Sequence, residues 1–248
     1  MSLKPIDTAR DVLQNALARR QTALSEYQSK MLLRAYGVPV TKEALAHSID
    51  EALSLAETIG YPVALKACAP ELMHKTESGL IELNIQGSAA LQTAYQRLTD
   101  AAAFQLEGLL VQEMIRGPRE LVLGLSRDLQ FGPCVMLGLG GILTEVIDDV
   151  VFRVAPLDFI EAREMTLELR SKAILERFRG QAAADRDAIC RSLVALGRIG
   201  LENEAIAEID INPMIISPQG QVVVVDALIV LAKRQDLTAE RRGVTSPI

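Results

Sequence analysis

The runs AIAEIDINPMIIS (205–217) and QVVVVDALIVL (221–231), joined through Pro218-Gln219-Gly220, decide the fold. Both have the length and apolar content of buried strands, and a Pro/Gly link of this size makes them a hairpin. In the first run Glu208, Asp210 and Asn212 recur at period two and share one face, while Ile209 and Ile211 share the other. In the second run Asp226 is the only charge. A carboxylate inside such a strand is costly to desolvate unless it is exposed, paired or bound to a cation. An Asn and an Asp offered from two strands of one hairpin, completed by water and phosphate oxygens, form a donor set that Mg2+ accepts. The alternative is that this face simply meets water.

Upstream, ELVLGLSRD (120–128), PCVMLGLGG (133–141), LTEVI (143–147) and VVFRVAP (150–156) are closely spaced strand-like runs separated by Gly, Pro and Asp, the pattern of an antiparallel sheet. Helical periodicity follows between Asp158 and Gly200. The first half alternates instead. Helices are expected over Asp7–Arg20 and Ser25–Tyr36, the second opened by the capping box Ser25-x-x-Gln28 and closed at Gly37. Ser48-x-x-Glu51 caps a further helix ending near Gly60, and Pro62 opens the strand PVALKA (62–67). Then come a polar loop, APELMHKTESG (69–79), a strand LIELNI (80–85), a helix from Ser88 to about Phe104, and a strand LLVQEMI (109–115). This gives a helical extension over 1–24, one unit over 25–116, a second over 117–235 beginning near Arg116-Gly117-Pro118, and a polar tail over 236–248.

Composition narrows the function. With 26 Lys+Arg against 32 Asp+Glu, no Trp and 4% aromatics, the surface is not built to neutralise phosphodiester backbones or to stack on bases, so nucleic acid is not an expected partner. The longest apolar stretch, Val222 to Ala232, contains Asp226 and falls short of the ~18 residues a membrane-spanning helix needs. The opening MSLKPIDTARDV brings charges early and does not read as a signal peptide, which makes a cytoplasmic protein the expectation. Cys68, Cys134 and Cys190 lie far apart with no metal-ligand spacing and are expected as reduced thiols.

Several residues read as chemical. Lys66 sits near the end of a short buried strand, where its ammonium either snorkels to solvent or points into a ligand cleft. The loop after it gathers His74, Lys75, Ser78 and Gly79, donors able to close over a polyphosphate, with His74 either a nucleophile toward phosphorus or a solvated loop residue. The strand ending in Glu113, followed by Met114, Ile115 and then Glu120, offers backbone groups to an adenine edge and carboxylates to ribose hydroxyls, or is an exposed strand end. Gly138, Gly140 and Gly141 in GLGG lack both the dinucleotide-binding spacing and the P-loop lysine.

The order LKACAPELMHKTESG (65–79), FGPCVMLGLGGILTEVIDDVVFRVAPL (131–157), EIDINP (208–213) and VVVDA (223–227) resembles the ATP-grasp domains, and within them the β subunits of ADP-forming acyl-CoA synthetases, relatives of succinyl-CoA synthetase. The resemblance covers about Ser25 to Leu231. It implies a two-lobed α+β fold with a nucleotide cleft between the lobes, ATP and Mg2+ as cofactors, and a CoA-binding ligase α subunit as partner in an α2β2 assembly. Carried over residue by residue, it implies that Lys66 and Gly79 contact ATP, that Glu113, Met114, Ile115 and Glu120 hold adenine and ribose, and that Asn212 and Asp226 bind Mg2+. His74 would then carry the phosphoryl group, Lys75 and Arg153 would offset its charge, and Asp210 would orient a visiting histidine. The family loop usually has a glycine where this chain has Leu80, and a basic residue where it has Leu228. Those departures motivate a second reading, a nucleotide-sensing scaffold domain of a CoA-linked acetyltransferase. A third is a stand-alone ATP-grasp carboxylate–amine ligase.

Overall fold

A computed structural model describes residues 5–70, 79–141 and 149–232. The chain opens with α1 (Pro5–Ala18), a two-residue β1 (Ala23–Leu24) and α2 (Glu26–Ala35). The Ser25/Gln28 capping box forms as the sequence predicts, with the Ser25 side chain accepting from the Gln28 N–H and the Gln28 side chain accepting from the Ser25 N–H. Next come β2 (Glu43–Ala46), α3 (Ile49–Ile59) capped by Ser48, β3 (Val63–Cys68), β4 (Ile81–Ile85), α4 (Ser88–Ala101) and β5 (Gly108–Glu113). Among the described residues four strands in the order β2-β5-β3-β4 make a small sheet, all pairs antiparallel. β2 is absent from the sequence reading, because EALA has little strand propensity of its own and is recruited by pairing with β5.

The second half supplies β6 (Arg119–Asp128), β7 (Gly132–Leu139), β8 (Val150–Val154), α5 (Phe159–Glu168), a 3₁₀ turn (Lys172–Leu175), α6 (Arg186–Glu202), β9 (Ile206–Ile216), β10 (Val222–Val224) and β11 (Ala227–Leu231). Among the described residues the larger sheet runs β1-β11-β9-β6-β7-β8, with β10 also paired to β9. The hairpin forms as expected, but its second strand is interrupted at Val225-Asp226. Val225 lies across from Pro213 and donates its N–H to the Pro213 carbonyl at 3.0 Å. Proline has no N–H to return that bond, so the ladder breaks there and the Val225 carbonyl needs other donors.

Two apolar cores result. The larger gathers Leu123, Leu125, Val135, Leu137, Ile209, Ile211 and Ile229 from the sheet under Met165, Leu193 and Leu196 of the helices. The smaller packs Val63, Leu65, Leu109 and Val111 against Leu91 and Leu98. The sequence reading sets 1–24 apart and groups 25–116 as one unit; in the fold β1, from the first of these, pairs with β11, and Leu32, Leu33 and Val38, from the second, lie in the larger core. Residues 39–41 also join the larger half, with Thr41 N–H donating to the Val224 carbonyl at 3.2 Å and Val224 N–H to that of Pro39 at 2.9 Å. The smaller sheet therefore turns the face opposite its own core, with Lys66, Leu110 and Gln112, toward α2 and β10.

The start of β8 is anchored by the buried Asp149, which accepts from the Arg170 N–H at 2.9 Å, the Ser171 N–H at 2.7 Å and the Ser171 hydroxyl. Burial pushes its carboxyl up, and these bonds together with Arg170 outweigh burial and hold it below the ordinary aspartate value of 3.8. A depressed folded pKa contributes stability above 3.8 that is lost as pH falls through the folded value. Asp149→Asn is expected to lower stability by about 1.5–3 kcal/mol at pH 7. In urea melts its deficit against wild type should narrow toward pH 3; a deficit constant with pH would contradict the linkage.

Candidate active site

The seam between the sheets is held by buried ionic side chains. Glu26 in the first turn of α2 and Lys30 one turn later face the small sheet, because α2 gives Leu32 and Leu33 to the larger core. The Lys30 ammonium bonds Glu26 at 2.7 Å, Gln112 at 3.2 Å, Thr41 at 3.3 Å, the Val225 carbonyl at 3.1 Å, and Glu43. Lys66, fourth of six residues in β3, is 3% exposed and does not snorkel. Its ammonium donates to the same Glu26 Oε1 at 2.8 Å and to the same Val225 carbonyl at 3.2 Å. Gln112 Nε2 gives that carbonyl a third donor at 3.3 Å.

Charge balance keeps Lys66 ionised. Burial alone would push its pKa down; the charges of Glu26 and then Asp226, with the Glu26 hydrogen bond, overcome this and hold it above the ordinary lysine value. Glu43 shows the opposite balance, burial raising its carboxyl against the pull of Lys30.

Asp226 follows Val225 directly, and its carbonyl accepts from the Asn212 N–H at 3.2 Å, so the two expected metal-site residues stand opposite one another across the hairpin. Asn212 is exposed and Asp226 half-buried. Asp210 lies on the Asn212 face of β9, flanked by Gly124 and Leu228 on neighbouring strands. Burial, then the nearby charges of Glu208 and Asp226, push its carboxyl up. Oxygen donors gathered on one face of a hairpin suit a hard cation. Among the described residues no three His, Cys, Asp or Glu side chains cluster as a closed metal cage. Two protein donors completed by water and phosphate is the arrangement Mg2+ commonly takes. On the same sheet face Gly124, Met136, Phe152, Glu208 and Asp210 border a shallow cavity of about 90 Å³.

At the other end, Glu113 closes β5, with one carboxylate oxygen accepting from the Lys42 N–H at 2.7 Å, and Met114 and Ile115 follow it half-buried. Glu120 is half-buried in β6, its carbonyl bonded to the Gly140 N–H at 2.8 Å. A Cβ on Gly140 would come within 2.9 Å of the Glu120 carbonyl carbon, so this glycine serves strand approach. Gly79 adopts φ +66° at the start of β4, and the following Leu80 is buried in the smaller core. His74 and Lys75 lie outside the described residues.

The structure does not bring Arg153 to this group. Arg153 pairs with Val135, whose side chain lies in the larger core, and its guanidinium is ion-paired with Glu168 of α5. Strand alternation puts Phe152, not Arg153, on the Asp210 face. The sequence reading missed Glu26, Lys30, Glu43 and Gln112. The available signal was Pro213, whose missing N–H leaves an acceptor across the hairpin to be satisfied from elsewhere.

A family model described as an ATP-grasp domain matches residues 15–231. The chain belongs to the ATP-grasp family. The β subunit of acetate–CoA ligase [ADP-forming] II from Pyrococcus furiosus is 37% identical over 227 residues, covering 89% of this chain and 96% of that one. A solved acetyl-coenzyme A synthetase of Ca. Korarchaeum cryptofilum, in complex with coenzyme A and Ca-AMPCP, is 41% identical with a TM-score of 0.85 over 90% of this chain and 100% of that one. A second structure from the same organism, with coenzyme A and Mg-AMPPCP, has its phosphohistidine segment pointing towards the nucleotide binding site; it is 40% identical with a TM-score of 0.80 over the same shares. The ATP-grasp chain thus groups with the β subunits of ADP-forming acyl-CoA ligases. No helix among its described residues is long and apolar enough to cross a membrane.

Because Lys30 separates Glu26 from Glu43, Lys30→Met leaves two buried carboxylates with reduced compensation. The expected cost is about 3–5 kcal/mol in urea unfolding, partly recovered by adding Glu43→Gln. A loss below about 1 kcal/mol, the worth of a surface pair, would contradict this account of the seam.

Proposed function

We propose that this chain is the nucleotide-binding subunit of an ADP-forming acid–CoA ligase, which takes the γ-phosphoryl of Mg-ATP and passes it through His74 toward a CoA-binding partner subunit. The observation that carries the reading is the convergence at one seam of a buried, charged Lys66 with Asp226 and the opposed Asn212. Lys66 offers phosphate oxygens a cation that is already desolvated and held in place, so little reorganisation is needed when the nucleotide arrives. Asn212 and Asp226 would hold Mg2+, which when bound supplies charge neutralisation across the phosphates. Glu113, with the backbone of Met114 and Ile115, would meet the adenine and ribose, and Glu120 would support the ribose side. Gly79, with its positive φ, would let the chain approach the phosphates closely.

In the phosphoryl step a neutral imidazole nitrogen of His74 attacks the γ-phosphorus as the bond to the bridging oxygen breaks. ADP leaves with that bonding pair, the imidazole proton passes to solvent, and Lys75 offsets the moving charge. The role of His74 rests on the family resemblance, and the phosphohistidine segment of the Korarchaeum synthetase is a precedent for histidine as carrier. By the same resemblance Asp210 would orient an incoming imidazole from the partner. The α2β2 assembly follows from the same resemblance.

The scaffold reading drew on Leu80 and Leu228. Leu80 fills the smaller core, which gives that departure a packing reason, and Leu228 stands beside Asp210 on β11. The discriminating assay is ADP-forming turnover with the CoA-ligase partner and a panel of carboxylic acids. Asn212→Ala with Asp226→Ala is expected to cut kcat/KM by about a hundredfold or more, and His74→Ala to abolish turnover. Full activity in His74→Ala would favour a carboxylate–amine type of ligase, and survival of the double variant would refute the metal assignment.

A further inference from the structure

Lys66 has three N–H donors, and among the described residues two of them are taken, by Glu26 Oε1 at 2.8 Å and the Val225 carbonyl at 3.2 Å. Neither acceptor is its own. Glu26 Oε1 also receives Lys30 at 2.7 Å, and the Val225 carbonyl also receives Lys30 at 3.1 Å and Gln112 at 3.3 Å. Two ammonium groups are therefore held side by side at full burial, where their mutual repulsion is strong unless a shared anion offsets it. Val225 supplies only a carbonyl dipole. Glu26 supplies the charge, from a helix whose other face is fixed in the larger core.

We infer that Glu26 is a positioning residue of the nucleotide site: by bridging Lys30 and Lys66 it holds the Lys66 ammonium against the Val225 carbonyl, so that the remaining N–H is presented beside Asp226 to a phosphate oxygen. The inference rests on the nucleotide reading above and assigns to α2 a part in nucleotide binding. Without the carboxylate, Lys30 and Lys66 repel, Lys66 leaves the carbonyl, and the phosphate loses a pre-aimed donor. Glu43, the other buried acid beside Lys30, bonds Lys30 and reaches Lys66 only through its charge, so it does not hold the Lys66 ammonium in place.

The test is calorimetric titration of the full chain with Mg-AMPPNP, alongside thermal melts. Glu26→Gln is expected to weaken binding about tenfold or more, and Glu26→Asp, which keeps the charge on a side chain one methylene too short to bridge both ammonium groups, to weaken it less, by about threefold, a tenfold step being about 1.4 kcal/mol. Val63→Ala, on the core-facing side of β3, gives a stability-matched comparison and is expected to bind within about twofold of wild type while melting lower. In turnover with the partner, Glu26→Gln should raise the KM for ATP more than it lowers kcat. Wild-type binding with an unchanged constant in Glu26→Gln, or equal weakening in Val63→Ala, would overturn the positioning role alone. Absence of binding by wild type would overturn the nucleotide reading and this inference with it. Where Glu26→Gln does not fold, Glu26→Asp carries the test: weakening with an unchanged melt supports the role, and wild-type affinity overturns it.

Discussion

One missing N–H organises the seam. Pro213 cannot complete the ladder opposite Val225, and the carbonyl left over is satisfied by Lys30, Lys66 and Gln112, side chains from a helix and from the small sheet. A buried carbonyl without donors is costly, and two buried ammonium groups without anions are costlier. Together they cancel. Glu26 and Glu43 complete the set, so the position of α2, the face of the small sheet and the break in the hairpin are fixed by a single group of hydrogen bonds. Such networks contribute less to stability than an apolar core of the same volume, but their directional bonds accept few alternative arrangements.

This arrangement also sets the chemistry of the hairpin. The interruption that frees the Val225 carbonyl sets Asp226 opposite Asn212 in the backbone and brings its charge to bear on both Lys66 and Asp210. On the proposed reading, a cation from the small sheet and oxygen donors from the larger one then act together on a magnesium-chelated triphosphate. Phe152 and Met136 carry the same sheet face outward from Asp210 as a mixed polar and apolar surface.

Much of this was legible in the sequence. Period-two spacing put Glu208, Asp210 and Asn212 on one face, and the lone acid in the second run marked Asp226 as its counterpart. Lys66 is ambiguous in the sequence because a strand sequence does not say what covers each face. Its partners were hidden for a related reason: Glu26 and Lys30, four apart on a capped helix, look like a solvent-facing ion pair until the small sheet closes over them. The resemblance implies a role for Arg153 beside the phosphoryl group, whereas alternation along β8 assigns it to the helix-covered face, where Glu168 takes it. β1 and β2, being short, were legible only through the strands they join.

In the proposed mechanism Lys66 and the hairpin act together on the γ-phosphoryl of ATP. It is tested most directly by incubating the chain and its CoA-ligase partner with Mg2+ and γ-labelled ATP, then measuring acid-labile, base-stable label on wild type and on Lys66→Met. Label that accumulates on wild type and is nearly absent from Lys66→Met is the predicted result. Equal labelling of both proteins, or none on wild type under conditions where it binds the nucleotide, would contradict it.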